Sequence, residues 1–220
     1  MDINWLGHAC VRIRTRQAAV LMDPADKSGG FDMGRPAADI VTVSRHHPHH
    51  DHVAGVRGQP IVIDGPGEYE IRGVQLFGLS SPLPRAPTDE GEQAEGQPER
   101  NTAFLVEAEG LHIAHLGGGS APPGGEGAEL LSNVDILIVA IDGDKAVDPV
   151  AAARTVRNLE PKIVIPVSYP GPNGGDKTSA LGAFLEASGL TAGEPQPKLT
   201  IQARGLGEEQ RVVLLEAQRA

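Results

Sequence analysis

The chain has 220 residues, 19 of them basic and 29 acidic, for a formal net charge of -10 at pH 7, with 3% aromatics, 28 glycines, 18 prolines and one cysteine. The acidic balance argues against a nucleic-acid partner or an anionic membrane surface, since either would be repelled outside local basic patches. The lone Cys10 excludes an intrachain disulfide and a cysteine-built zinc finger, and reads as a small core residue.

The start, Met1-Asp2-Ile3-Asn4-Trp5, lacks the basic and apolar regions of a secretory signal, and no later run is long enough to span a bilayer, so a cytoplasmic protein is expected. The length suits one domain over residues 1-220. With so few aromatics the core must be mostly Val, Ile, Leu and Ala, joined by many sharp turns.

In chain order, Ile3 to Leu6 and Ala9 to Ile13 read as a first strand or hairpin broken at Gly7-His8. Ala18 to Met22 is a strand stopped by Asp23-Pro24, and Asp39 to Val43 is a short buried strand. Val53-Ala54-Gly55 begins a short helix, and Pro60 to Asp64 is a strand. Gly65 to Glu70 is read as a turn into a strand over Ile71 to Leu79. Ser80 to Arg100, with Leu83 its only large apolar residue, is expected to be a mobile loop. Thr102 to Ala108 and Leu111 to Leu116 make a hairpin around Glu109-Gly110. Ala128 to Leu131 is a helical piece, and Val134 to Ile141 a buried strand. Asp148-Pro149 caps a helix through Leu159, because the carboxylate accepts orphan N–H groups and proline suits the first turn. Ile163 to Val167 is a strand and Thr178 to Ser188 a helix. Leu199 to Ala203 with Arg211 to Glu216 is expected to close the chain as a strand pair. A β-rich half followed by alternating strands and helices fits two mixed sheets packed face to face with helices outside.

Five of the eight histidines fall in His46-His47-Pro48-His49-His50-Asp51-His52, directly after the buried strand Asp39 to Val43. Imidazole and carboxylate are ligands that suit a borderline cation such as zinc, and a proline stiffens the turn. The pattern His-x-His-x-Asp-His is filled by His47, His49, Asp51 and His52. His47 and His49 are placed to share one ion, with Asp51 and His52 reaching a second position. His46 and His50 are further imidazoles able to substitute. His8 and His115 are candidates either for supporting hydrogen bonds behind the ligands or for purely structural roles.

Around this motif the chain resembles the metallo-β-lactamase superfamily, and within it cytoplasmic metal-dependent hydrolases similar to ascorbate-6-phosphate lactonase. The residues that carry the resemblance are Trp5-Leu6-Gly7-His8-Ala9-Cys10, Met22-Asp23-Pro24, His47 to His52, Asp64 to Glu70, Asn101-Thr102, His115-Leu116-Gly117 and Pro161 to Tyr169. The resemblance implies an α/β (α+β) fold, a four-layer αββα sandwich with the site on one edge between the sheets. It also implies two zinc or manganese ions held by the first motif, a further histidine, a bridging aspartate and a last histidine. Aligned on that pattern, the further histidine is replaced near Pro82-Leu83-Pro84, the bridging aspartate by Gly118 and the last histidine by Ser168. No histidine follows His115.

The expectation is therefore a divergent family member with one zinc ion at most, manganese being less suited, and with hydrolysis reduced or lost. One rival is a single-metal hydrolase of a small ester, lactone or phosphorylated substrate, with Asp51 as base. The other is a non-catalytic binding or sensor protein that uses the old cleft for a small molecule.

Overall fold

A computed structural model of the chain describes residues 1–83, 100–142, 147–170 and 180–220. Its strands are β1 (Asp2–Gly7), β2 (Cys10–Arg14), β3 (Ala19–Met22), β4 (Ile40–Thr42), β5 (Ile61–Ile63), β6 (Gly67–Ile71), β7 (Val74–Pro82), β8 (Arg100–Ala108), β9 (Leu111–His115), β10 (Ile136–Ala140), β11 (Ile163–Val167), β12 (Leu199–Thr200) and β13 (Arg211–Val212). The α-helices are α1 (Glu126–Leu130), α2 (Pro149–Leu159) and α3 (Ala180–Ser188).

These strands form two mixed sheets, ordered β12-β1-β2-β3-β4-β5 and β13-β11-β10-β9-β8-β7-β6. Between them lies the main core, with Trp5, Ile13, Val20, Leu76, Phe104, Ile113, Ile138 and Ile165 all inaccessible to solvent. β10 carries the unbroken run Ile136-Leu137-Ile138-Val139-Ala140, pairs in parallel with both β9 and β11, and is buried throughout. Such all-apolar composition is what a strand covered on both faces requires.

Helix α2 begins as anticipated, with the Asp148 side chain accepting from the Val150 N–H at 2.9 Å and Pro149 in the first turn. It buries Ala152, Ala153 and Val156 and packs against α3 and β10. Over the outer face of the six-stranded sheet, among the described residues, the cover is a loop and a 3-10 turn (Val53–Gly55) rather than an α-helix. Leu6, Cys10, Leu21, Met33, Val41 and Val56 form a separate small core there. Burial pushes the Cys10 thiol up to about 12, which suits a packing residue.

Three sequence readings need correction. The segment 65–70 is mostly strand: β6 and β7 form a hairpin whose turn is Arg72-Gly73, with φ of 53° and 74°. Positive φ at both central positions gives a two-residue turn that matches the twist of the strands, and Glu109-Gly110 repeats it between β8 and β9. The two closing strands do not pair with each other. β12 joins β1 in one sheet and β13 joins β11 in the other, so the C-terminal stretch ties the two layers together. The expected mobile loop over 80–100 is strand at both ends, and its residues 84–99 lie outside those described. The start of the predicted helix at Thr178 also lies outside them.

Candidate functional site

The site forms where β3 and β4, paired in parallel, both end. Asp23 follows β3 with φ 48° and is inaccessible to solvent. Its Oδ1 accepts the Ser44 backbone N–H at 2.7 Å, while its Oδ2 accepts the Ser44 hydroxyl at 2.6 Å and lies 2.8 Å from His50 Nδ1. Burial alone would raise the carboxyl's pKa. The adjoining His50, with His115 and the Ser44 hydroxyl, outweighs that and holds it below the ordinary carboxylate value. Asp23, which with Pro24 stops β3, also fixes the histidine turn from 27 residues away.

His115 lies beneath Asp23. Its Nε2 donates to the Ala9 carbonyl at 2.8 Å and its Nδ1 accepts the Gly117 N–H at 3.0 Å, so both nitrogens serve the backbone and one neutral tautomer is selected. Burial lowers its pKa, consistent with that neutral state. The Asn101 amide beside it donates to the Leu116 carbonyl at 2.9 Å and accepts the Gly118 N–H at 3.0 Å, which locks the second strand end.

Above this floor is a cleft of about 260 Å³ lined by His8, Arg45, His49, His50, Gly118, Asp142 and Ser168. The His8 and His49 rings stack at 4.4 Å and 11°. His8 adopts φ 48°, and its carbonyl accepts the Trp5 indole N–H at 2.6 Å and the Ser168 N–H at 3.0 Å. Its Nε2 is buried against the Gly29 backbone without a hydrogen bond of good geometry, and burial, then the neighbouring His49 and His50, lower its pKa to about 4. His49 Nε2 meets the Ser28 hydroxyl at 3.0 Å. His47 accepts the His49 N–H on Nδ1 at 3.2 Å, and its ring lies 4.8 Å from that of His49 and 5.9 Å from that of His50.

The expected quartet His47, His49, Asp51 and His52 is thus divided. His49 lines the cleft and His47 stands beside it. Asp51 and His52 belong to the outer part of the turn, where His52 is exposed against Gly55 and Asp51 stands 3.8 Å from an exposed His46. Among the described residues, no three His, Cys, Asp or Glu side chains stand in an arrangement that would hold a metal ion. One further carboxylate, Asp142, reaches the cleft wall.

Arg45, Ser44 and Asn101 were given no role from sequence. Arg45 precedes the histidines yet is 8% exposed, with its stem lying over Gly118. A Cβ added at Gly118 would sit 2.9 Å from Arg45 Cδ, 3.0 Å from its Nε and 3.2 Å from His50 Cε1. The available signal was an arginine directly after a buried strand, where a charged residue needs a reason to be. A larger groove of about 700 Å³ at the other end of the sandwich is lined by Met1, Arg14, Glu109 and Arg204. Its Glu109 is taken up by the N-terminal ammonium at 3.1 Å and by Arg16.

Comparison with known proteins agrees with this architecture. The sequence profile of the beta-lactamase superfamily domain matches residues 2–168. A UPF0173 protein of Pyrococcus furiosus is 30% identical, over 77% of this chain and 83% of its own length. A UPF0173 metal-dependent hydrolase of Lysinibacillus sphaericus is 27% identical, over 77% and 85%. The crystal structure of a candidate Zn-dependent hydrolase of the metallo-beta-lactamase superfamily from Thermotoga maritima superposes with a TM-score of 0.75 at 26% identity, covering 99% of both chains. By profile, sequence and architecture alike, this chain belongs to the beta-lactamase superfamily and has the metallo-β-lactamase fold.

Proposed function

We propose that this chain is a divergent member of the metal-dependent hydrolases, with an incomplete ion centre and with hydrolysis reduced or lost. Kinship with a relative named a metal-dependent hydrolase supports a metal cofactor. The donor set does not fit the two-ion centre of the family. The observation that carries this reading is Gly118: the position offers no carboxylate, and the Arg45 stem occupies the space a side chain there would need. Two cations a few ångströms apart without a shared anion repel each other, and Arg45 adds a third positive charge. Ser168, where the last imidazole is expected, also offers none.

One ion at most remains, zinc before manganese because the nearby donors are imidazoles. The ligands expected for it are His47, His49, Asp51 and His52, of which His49 lines the cleft with His47 beside it, and His8, His46, His50 and His115 are supporting or substitute groups. The reading in which Asp51 acts as base for a single-ion hydrolase has less support, because that carboxylate stands beside His46 in the outer turn. The reading as a small-molecule binding or sensor protein has more. Its floor of Asp23, Ser44, His50 and His115 is tied together and to the backbone by hydrogen bonds, and such networks hold a cleft in shape whether or not it turns over substrate.

The test is elemental analysis of untagged protein together with hydrolysis of ester, lactone and phosphodiester panels, run beside the Thermotoga maritima relative. The expected result is no more than one ion per chain, weakened in His49→Ala, and turnover at least about 100-fold below the relative, the scale lost when one electrostatic element of a catalytic site is removed. Two ions at full occupancy with matching turnover would overturn the proposal.

A further inference from the structure

The histidine turn holds two overlapping quartets with one spacing. Residues i, i+2, i+4 and i+5 are His47, His49, Asp51 and His52 in one frame, and Arg45, His47, His49 and His50 in a frame two residues earlier. The fold seats the earlier frame. Arg45 and His50 are 8% and 6% exposed and line the cleft with His49, while the two residues unique to the later frame lie in the outer turn. The cause is anchorage at both ends of the earlier frame. Asp23 holds Ser44 and His50, and the Ser44 carbonyl accepts the Thr102 N–H at 2.8 Å from the other sheet.

In this frame an arginine leads the quartet where the later one has a histidine. The guanidinium is a planar fork of donors with a fixed charge, and it pairs with carboxylate or phosphate oxygens in a way imidazole cannot. Gly118 is its complement, since any side chain there would push it aside. A second observation points the same way: His8 Nε2, on the wall of the same cleft, is buried against the Gly29 backbone without a hydrogen bond of good geometry. Buried polar atoms are rarely left so without a ligand or water to meet them.

We infer that the cleft binds a small oxyanion, with Arg45 as its recognition cation and His8 Nε2 as a second contact. The inference rests on the binding reading above and names its ligand class. The volume of about 260 Å³ limits the ligand to a few heavy atoms beyond the anionic group. Asp142, which also lines the cleft, favours a ligand that carries a hydroxyl or amine donor as well. Hydroxy acids and sugar phosphates share that chemistry.

Titration calorimetry on chelator-treated, full-length protein tests this with inorganic phosphate and glycolate as separate probes, which distinguishes a phosphate from a carboxylate site. Saturable binding of at least one probe is expected. It should weaken at least about 10-fold in Arg45→Gln, the scale of one charge-assisted contact, and stay within about 2-fold in Arg204→Gln, which removes a guanidinium from the groove at the other end of the sandwich. Independently of any variant, the bound probe must shift the Arg45 side-chain Nε–Hε resonance of the wild-type protein. Absence of binding by both probes, binding undiminished in Arg45→Gln, or an unmoved Arg45 resonance at saturation would overturn the inference. Because the protein is stripped of metal, these outcomes are separate from the ion count and turnover that test the proposed function.

Discussion

The inner and outer halves of the histidine turn make an instructive pair. Ser44 to His50 and Asp51 to Gly55 are adjacent in sequence and both offer histidine and other polar groups, yet their fates differ. The inner half is held by a buried carboxylate and a link to the other sheet, while the outer half ends in a single exposed 3-10 turn tied back by the His52 N–H to the Pro24 carbonyl at 2.8 Å. Whether a polar side chain becomes part of a site is decided here by the partner that makes its burial affordable.

The most direct way to break this contrast is to remove the partner. Asp23→Ala leaves the Ser44 N–H, the Ser44 hydroxyl and His50 Nδ1 without their acceptor. It should cost about 3 kcal/mol, read as a lowered urea midpoint with the slope unchanged. Gly117→Ala should cost about 2 kcal/mol, because this residue has φ 70° and a Cβ would collide with Ser44. Full stability in that variant would show that the inner turn can shift without loss.

Acid should act on the inner half in two stages. His115 has a native pKa below its ordinary 6.5, so the unfolded chain binds the proton more readily. Its contribution is complete above about pH 6.5 and declines as pH falls toward the lower native value. Asp23 is also depressed, so its contribution is present above about pH 4 and is lost as pH falls through its native pKa. Urea midpoints from pH 7.5 to 5 should therefore drop, and His115→Gln, compared with its own pH 7.5 value, should flatten that drop. The smallest effect belongs to the outer half. Asp51→Ala and His52→Ala should each change stability by no more than about 0.5 kcal/mol, and a loss above about 2 kcal/mol in either would erase the distinction between the halves.

Much of the scaffold was legible. The runs Ala18 to Met22, Val134 to Ile141 and Ile163 to Val167 are strands because apolar continuity and turn residues leave little else. The hairpin at Glu109-Gly110 and the cap at Asp148 followed from chemistry confined to a few residues. The hairpin at Arg72-Gly73 was missed because Gly65-Pro66-Gly67 is the louder turn signal, although both places bend the chain. At the site, the histidine cluster and Asp23 stood out, and Arg45 did not.

Sequence alone thus determined most of the elements and their order, since periodicity, turn preference and capping act over a few residues, and its motifs pointed to the family. Only the tertiary structure decided that β12 and β13 go to different sheets, and which of two equally spaced quartets meets the cleft. A second frame shifted by two residues satisfies every local rule as well as the first. The choice was made by Asp23, by Thr102 and by the bare backbone at Gly118, all distant in sequence and adjacent only after folding.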